Sequence, residues 1–552
     1  MGMAMRNNAT RVFSASGVLF CCLTSIATGQ QSGIGYTTPA ATTPDQNVPR
    51  TSNIQSQLTA AAPPEEAPPV RAWSIIPRVR LTETFTDNVN LSSSDKQSDL
   101  ITALAPGVRV NASTARLNMV LDYELVGYMY ARNSDYSNFQ NYLNTFGTLE
   151  AIDNWLFLDF SGYVAQQTIS PFGTQSVSNA NNNDNRTQIQ SYRLSPYIRG
   201  QLGGDIAEYT LRYNAATTRS GNDSISNVDI SQWIGQVRGG TPFQNLTWTI
   251  DGSQQNTDYS QGRDYDDERL RGILTYRLLP QLRVSGSGGR ESNNYITVDK
   301  EDYTTYGYGF DWRPTERSVV AGFKEKRFFG YGHNFNVSHR FPLSSIQYTD
   351  VEDVAFTPNG YTTFGQGTLY DQYFNLFANQ IPDPVARAAY VNNLLNQSGT
   401  AANATDTQTI NGYLSNRPQL RRTQQLSLVL YGSRNSITFR GTRVSDETLW
   451  LAGGGVQDPT NPYSKIVQTG YSVNFSHRLT PLTSLNLLGL YQTADAPSSP
   501  SLDNTLTMFQ VGVSSQLGSK TFGTLYARRS IYSSDSNPYN ENALSASLIF
   551  TF

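Results

Sequence analysis

The sequence is nearly free of cysteine and has no long apolar run beyond its first 30 residues. Its two cysteines among 552 residues, Cys21 and Cys22, both lie in an N-terminal apolar stretch. Past that stretch no run of about 18 apolar residues occurs, so a bundle of transmembrane helices is excluded. The formal net charge is -3, which is not the basic excess of a nucleic-acid-binding protein, and we predict no nucleic-acid partner.

Histidines are also scarce, and none has the spacing of a metal site. The chain has three, His333, His339 and His477, and no H-E-x-x-H pattern contains them. Ser338 precedes His339 and Ser476 precedes His477, each just before a predicted turn. We interpret both pairs as repeated structural features, with a hydrolase kept as an alternative. The sequence therefore predicts no enzyme, no bound metal and no cofactor.

A two-residue alternation of apolar and polar residues is present instead, most clearly at residues 544–552, L-S-A-S-L-I-F-T-F. Successive side chains of a strand point to opposite faces, so this stretch predicts a strand with one apolar face. A strand that ends on phenylalanine is typical of bacterial outer-membrane β-barrels, and a soluble all-β protein is the alternative. We interpret Leu548, Phe550 and Phe552 as an insertion signal.

The same alternation occurs at residues 115–127, 208–213, 246–251 and 471–476. A soluble sandwich would pack these apolar faces into a core. A membrane barrel would turn them to lipid and turn the charged faces to the lumen. Under the barrel interpretation the candidates for lumen-lining side chains are Arg116, Asp122, Glu124, Arg212 and Asp251.

Short and long connections alternate along the chain. Longer polar loops, such as Thr168–Gln188, separate the short ones. This asymmetry is typical of bacterial barrels, and counting strands predicts an all-β fold, a transmembrane antiparallel β-barrel of about 22 strands. Tight turns are predicted near residues 113, 153, 203, 242, 280, 314, 342, 435, 481 and 518.

Four predicted strands end in one motif, an aromatic residue or histidine, then arginine, then proline within three residues. Such a pair suits the membrane–water boundary, and the proline opens a turn. We predict that the pairs form a periplasmic girdle, and the alternative is an arginine ring that favours anions at the inner mouth. The pairs are Tyr276-Arg277, Trp312-Arg313, His339-Arg340 and His477-Arg478.

Residues 351–419 are too long for a hairpin loop. Tyr370, Phe374 and Phe377 have helical spacing, and Asp383-Pro384 resembles the start of a second helix. We predict a loop insertion with short helices in an otherwise uninterrupted barrel, 73–552. Long loops are usually functional or disordered, so a lid or plug and a plain surface excursion both stay open.

The segment before the barrel has two predicted parts. Arg6 and Arg11 precede an apolar run that ends in small residues, so we predict a signal peptide at 1–29, with a short buried helix as the alternative. Residues 30–72 are rich in proline and cannot bury a core, so we predict a disordered periplasmic tether. A docking role for the tether stays open, but it is too short for the folded plug domain of an energy-coupled transporter.

The N-terminal third resembles a family of outer-membrane β-barrels associated with PEP-CTERM/exosortase systems. The most specific string is E-T-x-x-D-N-x-x-L at Glu83–Leu91, whose Asp87-Asn88 pair we interpret as a turn cap, with glycan or ion binding as the alternative. The resemblance implies the outer membrane of a bacterium that makes exopolysaccharide and assigns no catalytic residues. The other matching stretches are 76–81, 98–102, 106–108 and 116–123.

These features predict a protein of the cell outer membrane, a passive pore or envelope scaffold. The expected partners are outer-membrane lipid and the barrel-assembly machinery. One alternative is a component of exopolysaccharide export or assembly, which would contact the polysaccharide or periplasmic envelope proteins. A second alternative is an outer-membrane hydrolase.

Overall fold

The computed structural model of the protein describes residues 72–203, 206–243, 245–355, 412–449 and 463–552. The predicted signal peptide, the predicted tether up to residue 71, and the predicted helices of the insertion lie outside the described residues. Of the insertion itself, residues 351–355 and 412–419 are described. No helix in these ranges is long and apolar enough to cross a membrane.

The described chain is built from twenty-two β-strands. Two single 3-10 turns, Ser134–Tyr136 and Pro500–Leu502, lie in connections between them. The strands are β1 Trp73–Thr86, β2 Asp99–Ser113, β3 Leu117–Tyr130, β4 Asn138–Ile152, β5 Leu156–Thr168, β6 Arg186–Leu202, β7 Ala207–Ser220, β8 Val228–Gly240, β9 Leu246–Tyr259, β10 Tyr265–Leu279, β11 Leu282–Asn293, β12 Glu301–Thr315, β13 Ser318–Arg327, β14 Gly330–Arg340, β15 Ser344–Ala355, β16 Gln419–Tyr431, β17 Asn435–Thr448, β18 Lys465–Arg478, β19 Thr483–Asp495, β20 Asn504–Gly518, β21 Thr521–Ser533 and β22 Tyr539–Thr551.

The strands form one closed antiparallel barrel, which confirms the predicted fold class. Each strand pairs with its neighbours in sequence, and β1 closes the ring on β22 through a register that joins Arg78 to Thr551 and Thr86 to Ala543. Closure leaves no free edge strand among the twenty-two described strands. The count of 22 strands is even, so both ends of the chain of strands lie at the same end of the barrel.

The two ends of the barrel differ in their connections. At one end, here the turn end, connections have two to five residues, and each of the ten predicted tight turns falls at or beside one of them. At the opposite end, here the loop end, the connections are mostly longer, and residues 169–185 between β5 and β6 form one of them. The order of strands thus places short and long connections on opposite rims.

The barrel wall is apolar outside and polar inside, the reverse of a soluble core. In β10, Leu270 and Leu274 are 61% and 57% exposed, whereas the alternating Asp267 and Arg271 are 1% and 2% exposed. The same holds on β18, where Tyr471 and Val473 are exposed and Ser472 is buried. Because neighbouring strands are in register, these outward residues join into an apolar band that covers most of the outer face of the barrel.

Candidate functional site

The inner wall carries ion pairs between strands, several of them across an intervening strand, and two predicted lumen residues take part in one group of them. Asp122 and Glu124 on β3 both contact Arg78 of β1, whose Nη2 lies 2.5 Å from Asp122 Oδ1 and 3.2 Å from Glu124 Oε2. Arg80 also pairs with Glu124. The alternation of Arg78 and Arg80 with apolar residues was the sequence signal for these two inward arginines, which sequence reasoning did not single out.

Of the other three predicted lumen residues, two face the lumen and one lies in a turn. Arg212 on β7 faces inward and pairs with Asp159 at 2.7 Å. Asp251 on β9 also faces inward and accepts two hydrogen bonds from Arg271. Arg116 lies instead in the exposed turn between β2 and β3, because β3 begins one residue later. It therefore sits at the rim rather than on the wall.

The most buried charges lie on the inner face of β10 to β15. Glu325 contacts both Arg269 and Arg271, and its side chain is 0% exposed. Arg327 donates to Glu291 at 2.8 Å and to Asp353 at 2.6 Å. Breaking a buried pair leaves one charge uncompensated, which is strongly destabilising, so these contacts fix the inner face of this arc.

The structure separates the two members of each girdle motif onto opposite faces. Four of the eight residues point outward near the turn end, in line with exposed neighbours such as Phe310, and the four arginines point inward. The side chains that point outward therefore lie on the outer surface near the turn end, whereas the guanidinium groups point into the mouth at the turn end, here the inner mouth. The outward residues are Tyr276, Trp312, His339 and His477, and the inward residues are Arg277, Arg313, Arg340 and Arg478.

The inner mouth is rich in arginine along β10 to β12. Arg277 and Arg283 are register partners, and Arg283 is in turn the partner of Asp311. Asp311 accepts a hydrogen bond from Arg313 Nε at 3.1 Å. Three guanidinium groups therefore share this arc with one carboxylate on the same three strands, a local positive excess.

In each of the two serine–histidine pairs, the serine and the histidine point to opposite faces of the barrel wall. His339 contacts Ser318 Oγ through Nδ1 at 2.7 Å, and His477 Nδ1 contacts Asn435 Oδ1 at 2.6 Å. Within the described ranges no hydrogen bond joins the second ring nitrogen of His339 to a side-chain oxygen. Neither histidine is thus bonded to the serine that precedes it.

The predicted insertion-signal residues lie on the outward face of β22. Leu548, Phe550 and Phe552 are 38%, 38% and 67% exposed. Phe552 also donates its backbone N–H to the carbonyl of Pro77 at 3.0 Å, at the seam where the ring closes.

Residues 169–185, here the inner loop, fold across the loop end rather than away from it. The carbonyl of Gly173 accepts a hydrogen bond from Tyr532 at 3.0 Å, and that of Gln175 accepts one from Tyr539 at 2.5 Å. Further along the inner loop, the side-chain amide of Asn181 donates a hydrogen bond to Glu541 at 2.8 Å. The loop begins at the end of β5, so these contacts reach β21 and β22, six and five strands away around the ring.

The inner loop is pinned by apolar contacts as well. Phe172 packs in a buried cluster with Tyr413, Ile466, Ala494 and Ala496. A side chain in place of Gly173 would place its Cβ 2.5 Å from Asn185, so glycine is required for the close turn. The sequence predicted only a polar loop here. Its small and amide residues gave no periodic signal that could have shown where it docks.

Residues 412–418, here the strap, cross the loop end from the other side. The strap leads into β16, yet Tyr413 forms a parallel bridge with Thr168 at the end of β5. β16 is the eleventh strand after β5 in a closed ring of 22, so the two lie on opposite sides of the barrel. The described end of the predicted insertion is therefore a chord across the mouth.

Tyr413 fixes the strap to the wall. Its hydroxyl donates to Asp446 Oδ2 at 2.7 Å, and Asp446 is also held by Arg421 at 2.5 Å. Burial, together with the Asp446 carboxylate, raises the pKa of Tyr413 well above its ordinary value.

The far side of the strap is held by a different set of contacts. Leu414 is 0% exposed and packs with Ile189 and Ile225. Asn416 accepts a hydrogen bond from the N–H of Ser226 at 2.7 Å and donates to the carbonyl of Ser224 at 3.1 Å. The strap is thus docked at both sides of the ring.

Comparisons with known proteins find only distant likenesses to solved structures. No family model and no curated protein matches the chain. The FrpB iron transporter from Neisseria meningitidis is 8% identical with a TM-score of 0.45, over 86% of this chain and 81% of that chain. The outer membrane protein opdK from Pseudomonas aeruginosa is 7% identical with a TM-score of 0.34, over 87% and 99%. Likeness at this level says nothing of the solute or the mechanism.

Proposed function

We propose that the protein is an outer-membrane β-barrel that forms a passive pore with a narrowed outer mouth. The observation that carries this proposal is the inverted wall, in which Leu270 and Leu274 face outward while Asp267, Arg269 and Arg271 face inward. In water this arrangement would expose a broad apolar band and bury charges. In a bilayer the band contacts acyl chains and the charges line an aqueous lumen.

The lengths of the connections at the two ends indicate how the barrel is oriented in the membrane. Short turns face the periplasm and longer loops face outward in bacterial barrels, so the turn end is the periplasmic end. The outward Trp312 and Tyr276 at that end then lie at the inner headgroup level, where aromatic side chains are enriched. A C-terminal strand ending in Phe550 and Phe552 supports assembly by the barrel-assembly machinery, as the sequence predicts.

Because the ring is wide, the segments that cross its mouth determine which solutes can pass. Strands about 4.8 Å apart and tilted by about 40° give a ring of 22 a backbone diameter of about 44 Å. A lumen of that width would pass most small solutes freely. The inner loop and the strap both cross it at the loop end, so we assign to them the restriction of the outer mouth.

The inner mouth supports a preference for anions. Arg277, Arg283 and Arg313 outnumber Asp311 on β10 to β12, and rings of arginine favour anions in pores. The inner wall above is dominated by compensated ion pairs, which carry little net field. Selectivity is therefore assigned to the periplasmic rim.

Planar-bilayer recording tests the pore. Purified protein should give discrete conductance steps, and replacing residues 174–184 with a short glycine–serine link should enlarge them, because the inner loop crosses the mouth. The matched control replaces the exposed residues 298–300 between β11 and β12, away from the contacts that hold the inner loop and the strap. If neither the native protein nor the loop variant conducts while both insert in liposomes, the pore is rejected and a scaffold remains.

A second candidate function, in exopolysaccharide export or assembly, is favoured by one feature of the loop end. A polar cavity of about 530 Å³ lies where the inner loop meets the first and last outer loops. Amide and carboxylate groups beside an aromatic ring are the chemistry that binds sugar hydroxyls and ring faces. The cavity is lined by Asn90, Tyr136, Thr174, Asn182, Asn183, Asp184, Asn185 and Asn537.

Genetics separates the two candidates. A deletion strain that loses surface polysaccharide but takes up small solutes normally would favour the export function, and the family resemblance predicts the same context. Asp184→Ala should then reduce polysaccharide at the surface without reducing the amount of barrel in the membrane. Normal polysaccharide in both strains would reject this candidate.

A further inference from the structure

The outward face of β13 to β16 breaks the apolar band. Side chains that alternate with inward ones on these four strands form a polar surface near the loop end, here the outer patch. On the same faces elsewhere, leucine, phenylalanine and tyrosine are exposed. The outer patch consists of Lys324, Lys326, His333, Asp350, Glu352 and Arg422.

In one half of the outer patch the charged side chains contact one another around Asp350. Arg422 donates to both oxygens of Asp350, at 2.9 and 2.7 Å, and Gln424 donates to Asp350 at 3.0 Å. His333 lies between two carboxylates, with Nε2 3.0 Å from Asp350 and Nδ1 3.3 Å from Glu352. Both carboxylates are therefore already engaged, and Arg422 remains 43% exposed.

The other half presents two lysines on aromatic rings. Lys324 Nζ lies 4.8 Å from the centroid of Tyr331, and Lys326 Nζ lies 5.7 Å from that of Tyr306. The two phenols approach each other to 3.5 Å. Both lysines are exposed, and in the described part of the chain neither forms an ion pair. The outer patch thus presents two lysines that, within the described residues, are not ion-paired with a carboxylate.

The height of the outer patch places it in the outer half of the apolar band, from which long lysine side chains can reach towards the outer headgroups. Lys324 and Lys326 lie six and eight residues from Ser318, the turn-end residue of β13. At about 3.3 Å per residue and a tilt of about 40° they stand about 15 and 20 Å above it, within an apolar band about 25 Å tall. The wall is also low here, since two residues join β13 to β14. Basic residues on a lipid face are tolerated near the headgroups and disfavoured at the midplane.

We propose that the outer patch binds the phosphorylated headgroup of an outer-leaflet glycolipid, which rests on the proposed outer-membrane location. Phosphate would contact Lys324, Lys326 and the exposed edge of Arg422 as charge-assisted hydrogen bonds. The rings of Tyr306 and Tyr331 hold the lysine side chains against the wall, just below the headgroup level. The acyl chains would lie on the apolar band beneath.

A second copy of the barrel fits this surface less well. A two-fold interface places each patch against itself, which would bring the lysines of one copy towards those of the other. Like charges in such a contact oppose association. A lipid phosphate supplies the missing negative charge at the same height.

Native mass spectrometry in detergent tests the proposal with diphosphorylated lipid A as the probe. The double variant Lys324→Gln, Lys326→Gln should bind it about tenfold more weakly, because basic groups near a membrane surface carry the attraction to anionic lipid. The matched control is Lys465→Gln, Lys520→Gln, which removes two cations elsewhere and should leave binding unchanged. Lipid A without phosphates should bind the native protein as weakly as the double variant binds the phosphorylated form.

Each remaining outcome overturns the proposal. Equal binding by both double variants would show that the outer patch is not the site. Full competition by millimolar inorganic phosphate would show a free-anion site instead of a lipid site. A dimer that dissociates only in the Lys324, Lys326 variant would show an interface between copies. Insertion into liposomes and heat-dependent gel mobility are measured in parallel, so loss of the barrel itself is distinguished from loss of the lipid site.

Discussion

Replacing Tyr413 with alanine should release the strap from the barrel mouth. The change removes a phenol that donates to Asp446 at 2.7 Å and a ring in the buried cluster around Phe172. Asp446 keeps its contacts with Arg421, so the wall itself stays ion-paired. The loss therefore falls on strap docking rather than on barrel closure.

The magnitude follows from the burial of that side chain. Tyr413 is 1% exposed, and truncation of a buried aromatic residue to alanine costs about 3–5 kcal/mol. Since about 1.4 kcal/mol is a factor of ten in an equilibrium constant, the ratio of undocked to docked strap should rise by about one hundredfold to four thousandfold. Tyr413→Phe, which loses the hydroxyl alone, should give a smaller rise, because a hydrogen bond to a charged group contributes about 1.5–3 kcal/mol.

Single-channel recording measures the effect as the frequency of transitions to a larger conductance. The order should be native protein, then Tyr413→Phe, then Tyr413→Ala. Tyr308→Ala is the control, since Tyr308 is an exposed tyrosine on the outward face of β12. If Tyr413→Ala folds and records like the native protein, the strap does not restrict the mouth.

Three further perturbations test other parts of the molecule. Arg277→Glu with Arg283→Glu should move the reversal potential in a salt gradient away from anion preference; an unchanged potential would place selectivity elsewhere. Leu548→Arg should lower the free energy of unfolding by about 2–4 kcal/mol if that side chain faces the bilayer core. Ser547→Arg, facing the lumen, should cost much less, and equal losses in urea titrations would contradict the assignment of faces. Phe552→Ser should reduce the heat-modifiable barrel recovered from outer membranes, and undiminished recovery would reject the insertion signal.

Local features of the sequence were sufficient to predict the barrel. Turn residues such as Asp153 and Pro280 marked the short connections, and the two-residue alternation on β3 and β22 assigned the faces. These signals are local because strand pairing in an up-and-down barrel joins sequence neighbours. The strand count depended only on finding each turn, so it could be read without knowing any long-range contact.

The turn-cap interpretation of Asn88 is confirmed by its contacts. Asn88 is 0% exposed and accepts from the N–H of Ser92 at 2.9 Å while donating to its carbonyl at 2.8 Å. Asp87 accepts from Asn542 and thus ties the first loop to β22. A short polar side chain that bonds the local backbone is the reason such residues favour turns.

The positions of the inner loop and the strap across the mouth could not be predicted from such local features. The contact of Tyr413 with Asp446 and the contacts of Gly173 with Tyr532 join segments far apart in sequence. Neither the inner loop nor the strap has a periodic pattern, because each is held by single side chains and backbone groups. The outer patch was missed for another reason, since His333 and Arg422 interrupt the alternation without a repeat that would mark them as one surface.

The most direct measurement of the membrane assignment uses two adjacent positions on β10. The predicted mature chain has no cysteine, because both cysteines lie in the predicted signal peptide. Leu274→Cys and Thr275→Cys would therefore each carry one fluorophore in protein reconstituted into liposomes. We predict that brominated lipid quenches the label at 274 and that aqueous iodide, reaching the lumen, quenches the label at 275. Quenching of both labels by iodide and of neither by lipid would contradict an outward apolar face in contact with the bilayer.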